Sequence, residues 1–296
     1  MNKISIEECT SIANKLQLIP QPDNVGLSGG MMGQCLFYYW LHRKTHIEIY
    51  EKTAEKLLDA IVENINSTRP FRFEDGLAEI GWSIGHLFRH QFVTGEADEI
   101  LEEVDRHARL YLLQTDFNLE WVAVAGLYFV SRYSNERCHE FTITQKRIKH
   151  DLLTLLLRFN FFSERTFPEV FVKYAKELDS SFAANNPLFK SLYILTQCYK
   201  SKVFNYRVVK LIRYFLKILI DCKEQMTSQN REYLCLLIND LKNALGERED
   251  NICDFSSLEK DTEISNYKGN PKFFADESSV YLFTDNLFIP LISIKN

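Results

Sequence analysis

The sequence predicts an all-α protein built from repeated helix pairs, on three observations. Eleven glycines and seven prolines in 296 residues leave long uninterrupted runs, which favours helices over a strand-and-turn design. Two stretches echo each other: 25–40 (VGLSGGMMGQCLFYYW) and 73–90 (FEDGLAEIGWSIGHLFRH) both open on Gly-Leu-small and run through further glycines into bulky apolar residues. Gly26 and Gly76 lie fifty residues apart, and each copy is followed by a second segment of helical periodicity, which is the period of a helix-pair repeat.

Each element has its own reason. Ile6, Cys9, Ile12, Ala13 and Leu16 share one face of a lead-in helix over 4–18, which Pro20 and Pro22 end. Asp23 and Asn24 offer capping side chains ahead of an inner helix over 27–42, apolar almost all the way round. Residues 47–65 set Ala54, Leu57, Leu58, Ile61, Val62 and Ile65 against a Glu- and Lys-rich opposite side, the pattern of an outer helix. The second copy follows the same plan. Its inner helix over 76–89 begins beside Glu74 and Asp75, whose carboxylates suit a helix start, and its outer helix covers 97–113.

A third copy is degenerate, with Gly126 aligned on Gly81 inside an inner helix over 120–133 and an outer partner over 146–162. Beyond it the glycines vanish while helices continue: a short connector over 167–178, a helix over 188–200 opened by Asn186 and Pro187, then 206–222 and 231–245. From 246 to 272 the chain is polar and unperiodic, and 278–294 contains the β-favouring runs YLF and LFIPLISI. The expected division is a helical repeat domain over 1–246 and an irregular or β-containing segment over 247–296 docked on it.

A net charge of −5 and a pI near 5.9 argue against nucleic acid as the partner. Seven cysteines, odd in number and scattered without a Cys-x-x-Cys spacing, read as reduced and mostly buried thiols. No signal-peptide core and no run of about 18 apolar residues is present, so the expectation is a cytoplasmic protein with no membrane segment.

The succession Gly-Leu-Ser-Gly-Gly, Asp-Gly-Leu-Ala-Glu-Ile-Gly-Trp and Leu-Tyr-Phe-Val-Ser-Arg-Tyr resembles the first repeats of the lanthionine synthetase C-like family, over roughly residues 24–135. The resemblance implies an α/α toroid, inner helices opening on Gly-Leu-x-Gly motifs inside a second ring of helices. It also implies a peptide or protein partner in a bacterial peptide-maturation pathway. The family's cyclases hold zinc through two cysteines and a histidine on Trp-Cys-x-Gly and Cys-His-Gly motifs, and neither motif exists here. Cys138-His139 is followed by Glu140, and His150 is the last histidine, so the later cysteines have none after them. Zinc-dependent thioether formation is therefore not supported, no metal or other cofactor is expected, and the implied relative is a pseudoenzyme. Seven pairs at this period need more residues than the chain has. An incomplete array would leave an apolar edge, a surface for a partner or for homo-oligomer formation.

Several side chains carry a functional reading beside a structural one. Asp75, Glu79 and His86 are the catalytic candidates: carboxylates at an inner-helix start with a histidine seven residues beyond Glu79, a pattern that caps and core hydrogen bonds also explain. Trp40, Trp82 and Trp121 could line a ligand bowl, and core packing explains them equally well. Converging helix N-termini suit an anionic ligand, whereas helix packing alone also asks for glycine. Arg207, Lys210, Arg213 and Lys217 form a basic stripe, read first as a solvated face. The reading these observations favour is a zinc-free lanthionine synthetase C-like protein that binds a peptide or protein. The alternatives are a carboxylate-dependent toroid enzyme acting on a carbohydrate, and a purely structural helical scaffold.

Overall fold

The computed structural model describes residues 2–18, 24–27, 29–65, 69–73, 76–114, 118–133, 142–176, 186–222, 226–245, 272–275, 279–284 and 287–293. The chain is predominantly helical and divides into two compact units, Met1–Tyr111 with Asn270–Asn296, and Leu112–Gly269. Among the described residues no helix is long and apolar enough to cross a membrane.

In the first unit, α1 (Ile6–Leu16) starts on a capping box. Ser5 Oγ accepts the Glu8 N–H at 3.2 Å, and the Glu8 carboxylate accepts the Ser5 N–H at 2.7 Å. Helix α2 (Met31–Thr45) lies against α1, α3 (Glu48–Asn64) and α4 (Leu77–Arg89). All but one of the residues from Met31 to Leu41 are buried, the profile of an interior helix. Helix α3 instead buries Tyr50, Ala54, Leu57 and Ile61, a single stripe, and its opposite side is wet. Helix α4 is buried throughout its first three turns. The outer partner expected over 97–113 is two helices, α5 (Ala97–Ile100) and α6 (Glu102–Leu112), because Leu101 leaves helical geometry with its side chain fully buried.

Helix α2 begins four residues later than the sequence reading places it, since the glycine-rich stretch folds back over the helix end. A Cβ on Gly30, the capping residue, would lie 2.3 Å from Gly26 O and 2.8 Å from Asn24 O. A Cβ on Gly76, which caps α4, would lie 2.5 Å from Pro70 O. The equivalent glycines are therefore Gly30 and Gly76, not Gly26 and Gly76. Both positions exclude a side chain because backbone approaches backbone.

A four-stranded antiparallel sheet joins this unit: β1 (Asn2–Lys3), β2 (Lys272–Ala275), β3 (Ser279–Thr284) and β4 (Leu287–Ser293), in that spatial order. Strand β4 runs beside α2. Pro290 falls on this edge strand opposite Tyr281, next to the register shift at Val280/Tyr281, where a missing N–H is tolerated.

The second unit holds α7 (Leu119–Arg132), α8 (Ile143–Lys176), α9 (Pro187–Lys200), α10 (Asn205–Asp221) and α11 (Ser228–Leu245). Helix α9 is its centre, packed by α7, α8, α10 and α11, and is capped by Asn186 with Pro187 at its first position, as the sequence predicts. Lys200 Nζ reaches both Asp240 oxygens at 2.6 and 2.7 Å and ties α9 to α11. Two segments expected over 146–162 and 167–178 form the one helix α8, which runs through Pro168. A proline removes a single N–H from the ladder, and a helix of this length carries that loss without ending.

Helix α7 starts on a side-chain cap, Asn118 Oδ1 accepting the Trp121 N–H at 2.8 Å, where α2 and α4 start on glycine. Counted from the caps, Gly81 is the fifth helical position and Gly126 the eighth, so the two are not equivalent and the expected alignment is corrected. Gly126 serves helix contact: a Cβ there would lie 2.6 Å from Ile194 Cδ1 on α9. Gly126→Ala is expected to lower stability by about 1–3 kcal/mol through overpacking. Adding Ile194→Val, which removes that methyl, should recover part of the loss in a urea-denaturation double-mutant cycle.

Candidate functional site

The loop ahead of α2 uses its own backbone to serve the helix start. Asn24 Oδ1 accepts the Gly26 N–H at 2.6 Å, and the carbonyls of Asn24, Val25 and Gly26 accept the N–H groups of Met31, Met32 and Gly33 at 2.8, 3.2 and 3.3 Å. These are the first donors of the helix, the ones an anionic ligand would need. At α4 the Leu77 N–H donates to Pro70 O at 3.0 Å. The glycines at both starts thus serve close backbone approach, and the first-turn donors of α2 are already spent.

Glu79, at the third position of α4, is 3 % exposed, and its Oε1 accepts the Leu27 N–H at 2.8 Å. A buried carboxylate is costly unless donors answer it, and this one is answered from the first glycine loop. His86, two turns further along α4, is fully buried. Its Nε2 lies 3.3 Å from Trp40 Nε1 of α2. An indole N–H can only donate, so Nε2 is the acceptor and the ring is neutral with its proton on Nδ1. The Trp82 ring stacks on His86 with centroids 5.2 Å apart and planes at 19°. Glu79 and His86 are separated by about 10 Å along the helix axis and serve different partners.

Around this pair the helix ends gather further groups. His90 lies 4.2 Å from the His86 ring and edge-on to Trp40 at 5.2 Å, and Phe92 meets Trp40 edge-on at 4.7 Å. The Arg43 guanidinium sits 3.5 Å over Phe92 and 5.1 Å from Trp40, and donates to His90 O at 2.6 Å, a cationic cap on the last turn of α4. Partial burial lowers the Arg43 pKa from its ordinary value. Arg43 and Phe92 escaped the sequence reading. The signal that finds them is the corrected register: with Gly30 matched to Gly76, Trp40 falls on His86 and Arg43 on Arg89, beside His90.

Trp40, Trp82 and His86 are thus brought together as a packed cluster. Trp121 belongs to the second unit, where it is buried under the Arg158 guanidinium at 5.0 Å. Arg158 also donates to the carbonyls of Leu112 and of Gln114, the latter at 2.6 Å, which anchors α8 to the segment before α7. Glu74, Asp75 and Cys138-His139 lie outside the described residues.

Among the described residues no three His, Cys, Asp or Glu side chains are placed to hold a metal ion. Five cysteines are described, Cys9, Cys35, Cys198, Cys222 and Cys235, and each is a free thiol. Burial pushes the Cys9 and Cys198 thiols up to about 12 and raises Cys35 further, whose Sγ donates to Ala54 O at 3.4 Å. Burial also raises Cys222, which is half-exposed, with the nearby Asp221 charge adding to the shift. No family model, curated protein or solved structure matches the chain.

Two expectations follow for the folded protein. Trp40→Phe, which keeps the ring and deletes the donor to His86, and Glu79→Ala should each cost about 1–3 kcal/mol in urea denaturation, while Glu79→Gln, which keeps an acceptor oxygen, should cost less. A thiol with pKa about 12 is thiolate in about one molecule in ten thousand at pH 8, and it gains thiolate only as the pH rises towards that value. Iodoacetamide followed by peptide mapping should therefore find Cys9, Cys35 and Cys198 protected until the chain unfolds, with Cys222 labelled before them.

Proposed function

We propose that the chain is a non-catalytic binding protein, built as a toroid-like array of helix pairs, similar in plan to the lanthionine synthetase C-like proteins and without their zinc. Its ligand in this reading is a peptide or protein partner of a bacterial peptide-maturation pathway. The observation that carries the reading is the use made of Glu79 and His86. A general base must face the proton it removes, whereas Glu79 faces the Leu27 N–H and His86 faces the Trp40 indole. Their chemistry is spent on joining α4 to the loop and helix of the copy before it.

The burial pattern supports the array: α2 and α4 are buried nearly all round, as inner helices would be, while α3 and α6 keep a polar side. Buried, protonated thiols likewise speak against activation of a cysteine nucleophile or metal ligand. Native mass spectrometry of the protein purified from its own host under reducing conditions tests the proposal. The expected spectrum is a metal-free chain carrying a peptide or a partner subunit. One zinc per chain would overturn it and restore a cyclase-like reading with an unusual ligand set.

A further inference from the structure

Helix α10 has two unlike sides. Val208, Leu211, Ile212, Phe215, Leu216 and Leu219 are buried, and the helix packs on α9 and α8. On the opposite side Lys210, Arg213 and Lys217 are exposed, with Tyr206 at 81 % exposure at the start of the row and the half-buried Arg207 beside it. Spacings of three and four residues align these groups along about 16 Å of one face. The helix holds no acidic residue before Asp221.

The sequence around α10 is basic as well. Residues 142–245 hold 17 Lys and Arg against 9 Asp and Glu, a net +8, in a chain whose total is −5, so the remainder is −13. A basic row with an exposed aromatic ring suits carboxylates spaced along an extended segment. We propose that the outer face of α10 is a docking surface for an acidic peptide segment of the partner. The assignment rests on the peptide- or protein-binding reading and supplies the partner's chemistry.

Two other polyanions fit less well. A nucleic acid draws its affinity from many phosphate contacts, more than the single row of cations on α10 supplies. A helix lying on a membrane turns its apolar side outward, and that side of α10 is buried in the unit.

The test uses the full chain and a fluorescein-labelled peptide of ten residues alternating Glu and Gly, read by anisotropy at low and physiological salt. Phosphatidylserine vesicles and a 20-nucleotide single-stranded DNA are run in parallel. Arg213→Glu with Lys217→Glu should weaken peptide binding at least tenfold, while Lys146→Glu with Arg147→Glu, the same charge change on exposed positions of α8, should change it less than twofold. Circular dichroism checks that both variants keep the helical signal. Equal weakening by the two variants, or preference for vesicles or DNA over the peptide, would overturn the assignment. Peptide binding that the α10 variant leaves unchanged would also overturn this face as the site while leaving the binding reading intact. No peptide binding at low salt would overturn the face as well, with the binding reading then judged by what co-purifies.

Discussion

A carboxylate taken out of water must find donors, and in the first unit Glu79 finds one on the backbone of Leu27, fifty-two residues earlier. That bond fixes the glycine loop before α2 against the first turn of α4. Two turns along the same helix, the Trp40 to His86 bond repeats the connection from α2. At the helix end Arg43 does so again on the carbonyl of His90. Three polar contacts at successive heights of α4 thus tie it to α2 and to the loop before α2.

The glycines belong to the same constraint. With carbonyls of the loop turned back on the helix N–H groups, the capping residue sits where any side chain would strike backbone, and Gly30 and Gly76 meet that condition in both copies. What reads in the sequence as a ligand-cradling motif is, in geometry, a way of closing a helix end without solvent. The donors that would receive an anion in α2 are consumed by the loop. Cation recognition of an acidic group falls instead to side chains on the outside of a helix, as on α10.

The second unit solves its packing differently. Helix α9 is surrounded by four helices, and its polar groups are answered locally: Asn186 caps its own helix and Lys200 is held by both oxygens of Asp240. Gly126 lets α7 approach Ile194 closely. Trp121 is covered by an arginine that also donates to two backbone carbonyls. Aromatic residues that suggest a binding bowl by composition are, in both units, covered by neighbours.

The helical class, the interior character of α2 and α4 and the one-sided character of α3 were legible in the sequence. They follow from apolar periodicity, which is local, and the Asn186-Pro187 start of α9 follows from cap chemistry, which is local too. Register was not legible. Matching Gly26 to Gly76 is the better match by letters, but only the approach of Gly30 to the Asn24 and Gly26 carbonyls shows which glycine is the cap. The division into 146–162 and 167–178 follows local periodicity, whereas the continuity of α8 is a property of the whole unit. For the site, the sequence determined that Trp40, Trp82, Glu79 and His86 sit on strongly apolar helices. Tertiary structure alone decided that these groups face each other and the backbone, because the partner of a buried polar group is set by contacts between segments some fifty residues apart.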